Sequence, residues 1–277
     1  MNKAAVTYKA HGITERTGIS FNAVLTYFFL ETILKKMVYE DVQCNLIFKG
    51  GFLLSNVIGV NTRTTVDIDM LIHGLELSEV NVRKIASQIC LSGAIPEVVC
   101  EIYNLERIRL EDVYGGFRVK ILCRLDNIKQ IVPLDFATGD PVTPSPYIYN
   151  FKCLFYDDII PLMSYNTETM LAEKLETIIR RSLSNSRSKD FYDIYILWKL
   201  YKDSIDLNML NVAINRTFEY RGTLWNRQSM LLLLDEIISD TNMNTRWMAW
   251  QKRNHFAKDI NFEKLISEMI KMVKTLN

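Results

Sequence analysis

Asp67 and Asp69 stand two residues apart in RTTVDIDML, and a third acid, Asp135, lies in IVPLDFATGD among apolar residues. Carboxylates are hard oxygen ligands, and gathering several of them suits a divalent cation. On a strand, side chains at i and i+2 leave the same face about 7 Å apart along the chain. Asp67 and Asp69 can therefore bridge two metals about 3.5 to 4 Å apart, with Asp135 as the third ligand. Upstream, in NLIFKGGFLL, Gly50 and Gly51 are adjacent, and residues 52–66 separate them from Asp67. Glycines let backbone N–H groups approach phosphate oxygens where a helix begins and its dipole favours an anion. Glycines for phosphates and aspartates for metals together describe a site for transfer from a nucleoside triphosphate, with Mg²⁺ as the expected metal in a two-metal site. Each part alone has a plainer reading: Val-Asp-Ile-Asp as the solvated face of an edge strand, Gly-Gly as a turn. It is their succession in one half of the chain that points to a metal site.

The elements that must position these residues follow from periodicity. Ser20 is a candidate N-cap for the apolar-periodic helix FNAVLTYFFLETILKKMVYE. A short strand at residues 45–48 leads to a turn at Gly50 and Gly51 and a short helix, FLLSNVIG, ended by its glycine. In TTVDIDMLIHG, Val66, Ile68 and Met70 alternate with Thr65, Asp67 and Asp69, the period of a strand with one buried face. A helix over 78–91 follows, then β-branched runs broken by Gly-Gly and Asp-Asn, which predict an antiparallel meander. The fold class is α+β, a mixed sheet flanked by helices and followed by an α-helical C-terminal domain. Residues 1–160 and 161–277 are the expected domains, with DPVTPSPYIYNFKCLFYDDIIP as the connector.

The second half is helical almost throughout. In AEKLETIIRR, Lys174, Ile178 and Arg181 fall at i, i+4 and i+7, so the two cations can face one way, toward a triphosphate or an RNA backbone. Such cations are also simply solvated. SRSKDFYDIYIL sets Asp190 and Asp193 three apart beside Arg187 and Lys189. Acids at a helix start complement the dipole, which accounts for Asp190 better than for Asp193. RWMAWQKRNHF interleaves Trp247, Trp250 and Phe256 with Arg246, Lys252 and Arg253, a mixture suited to RNA stacking, to core packing or to a protein interface.

Composition narrows the classes. A net charge of +1 excludes a uniformly basic nucleic-acid coat and leaves room for a local patch, which RRSLSNSRSK, residues 180–189, supplies with four cations and no acid. Five cysteines without a C-x-x-C suggest neither a disulfide framework nor a zinc cage, and are expected to be mostly buried as small apolar residues. The three histidines are scattered, which argues against a histidine-rich metal-dependent phosphodiesterase. No apolar run of membrane-spanning length and no secretion signal are read, so the expected location is cytoplasmic and no membrane partner is expected.

Taken in order, LIFKGGFLL, RTTVDIDML, PLDFATGDPVTP, ETMLAEKLETIIRR and SRSKDFYDIYIL resemble the AbiEii/AbiGii-type nucleotidyltransferase toxins of the polymerase-β-like nucleotidyltransferase superfamily. The resemblance spans about residues 46 to 198 and implies a bilobal protein with a nucleotidyltransferase fold. It further implies a bacterial toxin of a toxin–antitoxin or phage-abortive-infection system that transfers a nucleotide from an NTP, releasing pyrophosphate. The suggested acceptor is tRNA or another RNA, and the antitoxin is encoded separately and need not touch the toxin. In the family's terms Gly50 and Gly51 match the phosphate-loop glycines, flanked by Lys49. Asp67, Asp69 and Asp135 match the metal-binding acids, Lys174 a helix lysine that contacts phosphates, and Asp190 and Asp193 a later acidic motif beside Arg187, which is assigned to the nucleotide. Many relatives carry Gly-Ser where this chain has Gly51-Phe52, so a hydroxyl contact to phosphate would fall to Ser55 or Thr64. A nucleotide-binding interaction protein with little catalysis is the rival reading, disfavoured because all three acidic positions are filled.

Overall fold

The computed structural model describes residues 1–59, 65, 67–108 and 115–277. The chain divides into two compact units, Met1–Gly139 with Tyr147–Ser164, and Asp140–Pro146 with Tyr165–Asn277.

The first unit contains α1 (Lys3–Thr17), α2 (Phe21–Tyr39), β1 (Leu46–Lys49), α3 (Gly50–Ile58), β2 (Ile68–Ile72) and α4 (Glu79–Leu91). Then come β3 (Val99–Ile108), β4 (Gly116–Leu125), β5 (Ile128–Ala137), β6 (Tyr147–Lys152) and β7 (Ile159–Ser164). The strands form one seven-stranded sheet in the order β3-β4-β5-β2-β1-β7-β6. β2 runs parallel to β5 and β1 parallel to β7, while the other neighbours are antiparallel, so the sheet is mixed as expected.

One face of this sheet is packed. Ile68, Met70 and Ile72 of β2, Phe117, Val119 and Ile121 of β4, and Val132, Leu134 and Phe136 of β5 share a core with Phe28, Phe29 and Ile33 of α2. Ser20 starts α2 by accepting a hydrogen bond from the Ala23 N–H, and the helix is apolar nearly all round because it is buried nearly all round. Because strand side chains alternate, Asp69, Arg118 and Asp135, which lie between those core positions, leave by the opposite face. The two-residue turn Asp126–Asn127, with Asp126 at φ 51°, joins β4 to β5 and fixes their register.

Several expectations need correction. Gly50 and Gly51 open α3 instead of forming a separate turn. The supposed connector supplies β6 and β7, whose Phe151, Ile160 and Leu162 are core residues of the first unit, so its alternating apolar positions outweighed its prolines. Helix α1 was not foreseen. Among the cysteines only Cys100 and Cys123 are buried, and Cys44 is exposed.

The second unit holds α5 (Thr167–Arg181), α6 (Ser188–Tyr201), α7 (Leu207–Tyr220), α8 (Arg227–Ser239), α9 (Thr241–Arg253) and α10 (Phe262–Lys274). Asn166, Asp206, Asn226, Asp240 and Asn261 cap five of these helices through their side chains. Core packing is what Trp247 does: it is 1% exposed, stacks on Phe262 and donates its indole N–H to the Ile260 carbonyl at 3.2 Å. Arg221 of the same unit joins Asp140, Glu173 and Glu176 at 2.8 to 2.9 Å, which ties the Asp140–Pro146 segment to the helices.

Candidate active site

Asp69 on β2 lies directly across from Asp135 on β5, and Asp67 precedes β2 by one residue. Each of the three offers a carboxylate oxygen, and these oxygens lie within 4.8 Å of one another. The Thr65 hydroxyl donates to Asp67 Oδ1 at 2.8 Å and fixes that side chain. Asp135 is 5% exposed and receives a two-pronged hydrogen bond from Arg118, Nε to Oδ1 and Nη2 to Oδ2, both at 2.6 Å. Arg118 faces Asp135 across the β4–β5 ladder. The fork with Asp135, and after it the charges of Asp67 and Asp69, push the guanidinium pKa upward. The three carboxylates form an all-oxygen donor set that fits a hard divalent cation.

Gly50 stands against this cluster. Its φ is +71°, and a Cβ there would overlap the Asp69 carboxylate. Glycine is therefore needed twice over, for the left-handed backbone and for the close approach. Lys49, directly across the β1–β2 ladder from Asp69, is buried and precedes the first helical residue. Gly50 and Gly51 are the first two residues of α3, so their N–H groups belong to its unsatisfied N-terminal turn.

Ser55 is offered by the sequence as a hydroxyl contact to phosphate. It is 0% exposed and donates its hydroxyl to the Phe52 carbonyl at 2.8 Å, so its single donor is engaged inside the helix. Thr64 and Val66 lie outside the described residues.

Within the second unit, Lys174 of α5 sits between the two acids of α6, its Nζ 2.6 Å from Asp193 and 3.5 Å from Asp190. Arg187 Nε lies 2.7 Å from Asp190. Both aspartates are buried, so they are partners of cations in a helix–helix contact as well as acids near a helix start. Sequence reasoning missed Thr65 and Arg118. The one available signal for Arg118 was its place on the polar side of FRVKILCRL.

No curated protein matches the chain. The family described as nucleotidyl transferase AbiEii toxin, of type IV toxin–antitoxin systems, matches residues 32–268. The chain belongs to the AbiEii family. It is accordingly a nucleotidyltransferase, and its setting is a toxin–antitoxin system, with an antitoxin as the implied partner. Two solved structures share the fold of this AbiEii-family chain. JHP933 from Helicobacter pylori matches with a TM-score of 0.56 at 14% identity, over 93% of this chain and 92% of that one. A candidate nucleotidyltransferase from H. pylori gives 0.57 at 14% identity, over 93% and 95%. Among the described residues no helix is long and apolar enough to cross a membrane.

Proposed function

We propose that this AbiEii-family toxin transfers a nucleotide from an NTP to RNA, most simply to the 3′ end of tRNA, in the bacterial cytoplasm as part of phage defence. The observation that carries the reading is the convergence of Asp67, Asp69 and Asp135 on one small volume beside Gly50. Two Mg²⁺ held by these acids would polarise the α-phosphate and lower the pKa of the attacking hydroxyl. The chain's own residues do the rest. The N–H groups of Gly50 and Gly51 at the start of α3, with Lys49, receive the phosphates. Lys174 and Arg187 are assigned to phosphate binding, and each would then exchange an aspartate partner for a phosphate oxygen. Asp190 and Asp193 hold those cations ready. Thr65 keeps Asp67 aimed at the cluster. A bond forms between the acceptor oxygen and the α-phosphorus, the bond to the β-phosphate oxygen breaks, and pyrophosphate leaves with its electron pair.

The test incubates purified protein with Mg²⁺, each labelled NTP in turn and total bacterial tRNA, beside the Asp67→Ala, Asp69→Ala double variant. Label should enter tRNA with wild type alone. If NTP binds and no label moves to any RNA, the tRNA acceptor is wrong and the nucleotide-binding interaction module becomes the better account.

A further inference from the structure

The three acids of the cluster are crowded for groups that repel, and Arg118 is drawn among them by geometry. Arg118 uses two of its donors on Asp135 and occupies both oxygens of that carboxylate. The next residue on the same face of β4, Lys120, is engaged elsewhere, 2.9 Å from Glu106. Burying a charged carboxylate is costly unless it has a positive, hydrogen-bonded partner. Arg118 supplies one from within the fold, and a guanidinium cannot give up its proton to relieve the competition.

We propose that Arg118 is a resident counter-ion of the metal site. It holds Asp135 in place when no divalent cation is bound, and a cation entering among Asp67, Asp69 and Asp135 must share that carboxylate with it. The inference rests on the metal-site reading above. Arg118 is then a positioning residue that makes the site take divalent cations weakly by itself, leaving full occupancy to the moment when a triphosphate adds negative charge. A purely structural fork would stabilise the sheet and leave metal affinity alone.

The experiment is a Mn²⁺ titration without nucleotide, followed by the electron paramagnetic resonance signal of free Mn²⁺. Wild type is compared with Arg118→Gln, Arg118→Lys, Lys120→Gln and the Asp67→Ala, Asp69→Ala double variant. Arg118→Gln is expected to bind Mn²⁺ tighter by about tenfold, the scale on which partners of a metal ligand act. Arg118→Lys keeps the charge and loses the fork, so its tightening is smaller, and it carries the test if the glutamine variant does not fold. Lys120→Gln should match wild type. Unchanged or weaker Mn²⁺ binding in the Arg118 variants, with the aspartate variant still losing its Mn²⁺, overturns the counter-ion and spares the metal site. Mn²⁺ binding that survives loss of both aspartates removes the metal-site reading itself.

Discussion

A side chain at position 50 has no room. Gly50→Ala would place a Cβ on a left-handed backbone, at a cost of about 1–3 kcal/mol, and against the Asp69 carboxylate. The carboxylate would have to move, and displacements of about 1 Å at a reacting centre cost about 10²-fold in rate. The expected outcome is a folded variant with a lower melting temperature and label transfer reduced by at least that factor. Glu31 makes a different point about single residues. Its carboxylate accepts the Leu154 N–H at 2.5 Å and the Phe155 N–H at 2.9 Å from within α2, pinning the β6–β7 loop. Burial pushes its pKa up from the ordinary 4.5 to about 7, against the two backbone hydrogen bonds that pull it down. Between those values the folded chain holds a proton that the unfolded chain has released, so this group's contribution to stability falls as pH rises through the window. Glu31→Gln removes the titration. The stability difference between wild type and variant, measured by calorimetry, should favour wild type more at pH 5 than at pH 7.5, and equal differences would rule Glu31 out as the source. At this scale the sequence was readable where period and residue type agreed, as in Asp67 and Asp69. Asp135 was readable from its apolar flanks. Arg118 was not, because its partner is seventeen positions away in sequence and adjacent only across a ladder. At Ser55 composition offers a hydroxyl without revealing where it donates.

Helix pairs show what the acids at 190 and 193 add. Lys174 is 15% exposed in its side chain and Asp193 fully buried, so their contact lies where desolvation is severe. Removing Asp193 takes away the closest counter-charge of Lys174 and leaves the more distant Asp190 at 3.5 Å, where losing one partner of a buried pair costs up to about 3–5 kcal/mol. Asp193→Ala should therefore lower the urea midpoint sharply. The apolar pair Lys174→Met, Asp193→Leu should recover much of that loss, because well-packed hydrophobic replacements of buried ion pairs are often neutral or better. If the same pair variant is stable and inactive in label transfer, Lys174 has a role beyond packing. Full activity would remove it from the proposed phosphate contacts. The helices themselves were legible because caps and 3.6-residue periods coincide, as at Asn166 and Asp206. Two elements escaped for opposite reasons. In α1 only Val6, Ala10 and Ile13 are buried, a thin stripe in a polar segment. In β6 and β7 the alternation is present, yet the prolines of the segment read as those of a linker.

Over the whole molecule, charge is nearly balanced, so attraction for RNA has to come from a patch. Arg180, Arg181, Arg187 and Lys189 are its expected members, although Arg180 lies 3.1 Å from Glu176 and Arg187 is held by Asp190. Charge reversal at Arg181 and Lys189 should weaken RNA binding and flatten its dependence on salt. Each lost phosphate contact lowers the slope of log K against log salt by about 0.7 for a single strand. An unchanged slope would place the RNA on another surface. The arrangement of two units, a mixed sheet and a helical half, was legible from the change of period near residue 165. Its boundary was less so, because residues 140–146 pack with the helices and residues 147–164 with the sheet. The tight turn at Asp126–Asn127 has a further consequence for how this chain can change. Nine residues beyond Asp126, Asp135 reaches the open face only because the count from the turn is what it is. One residue added there would shift β5 by a single step and carry Asp135 into the apolar layer with Leu134 in its place. Drift in this strand is therefore freer to exchange residues than to change length by a single step.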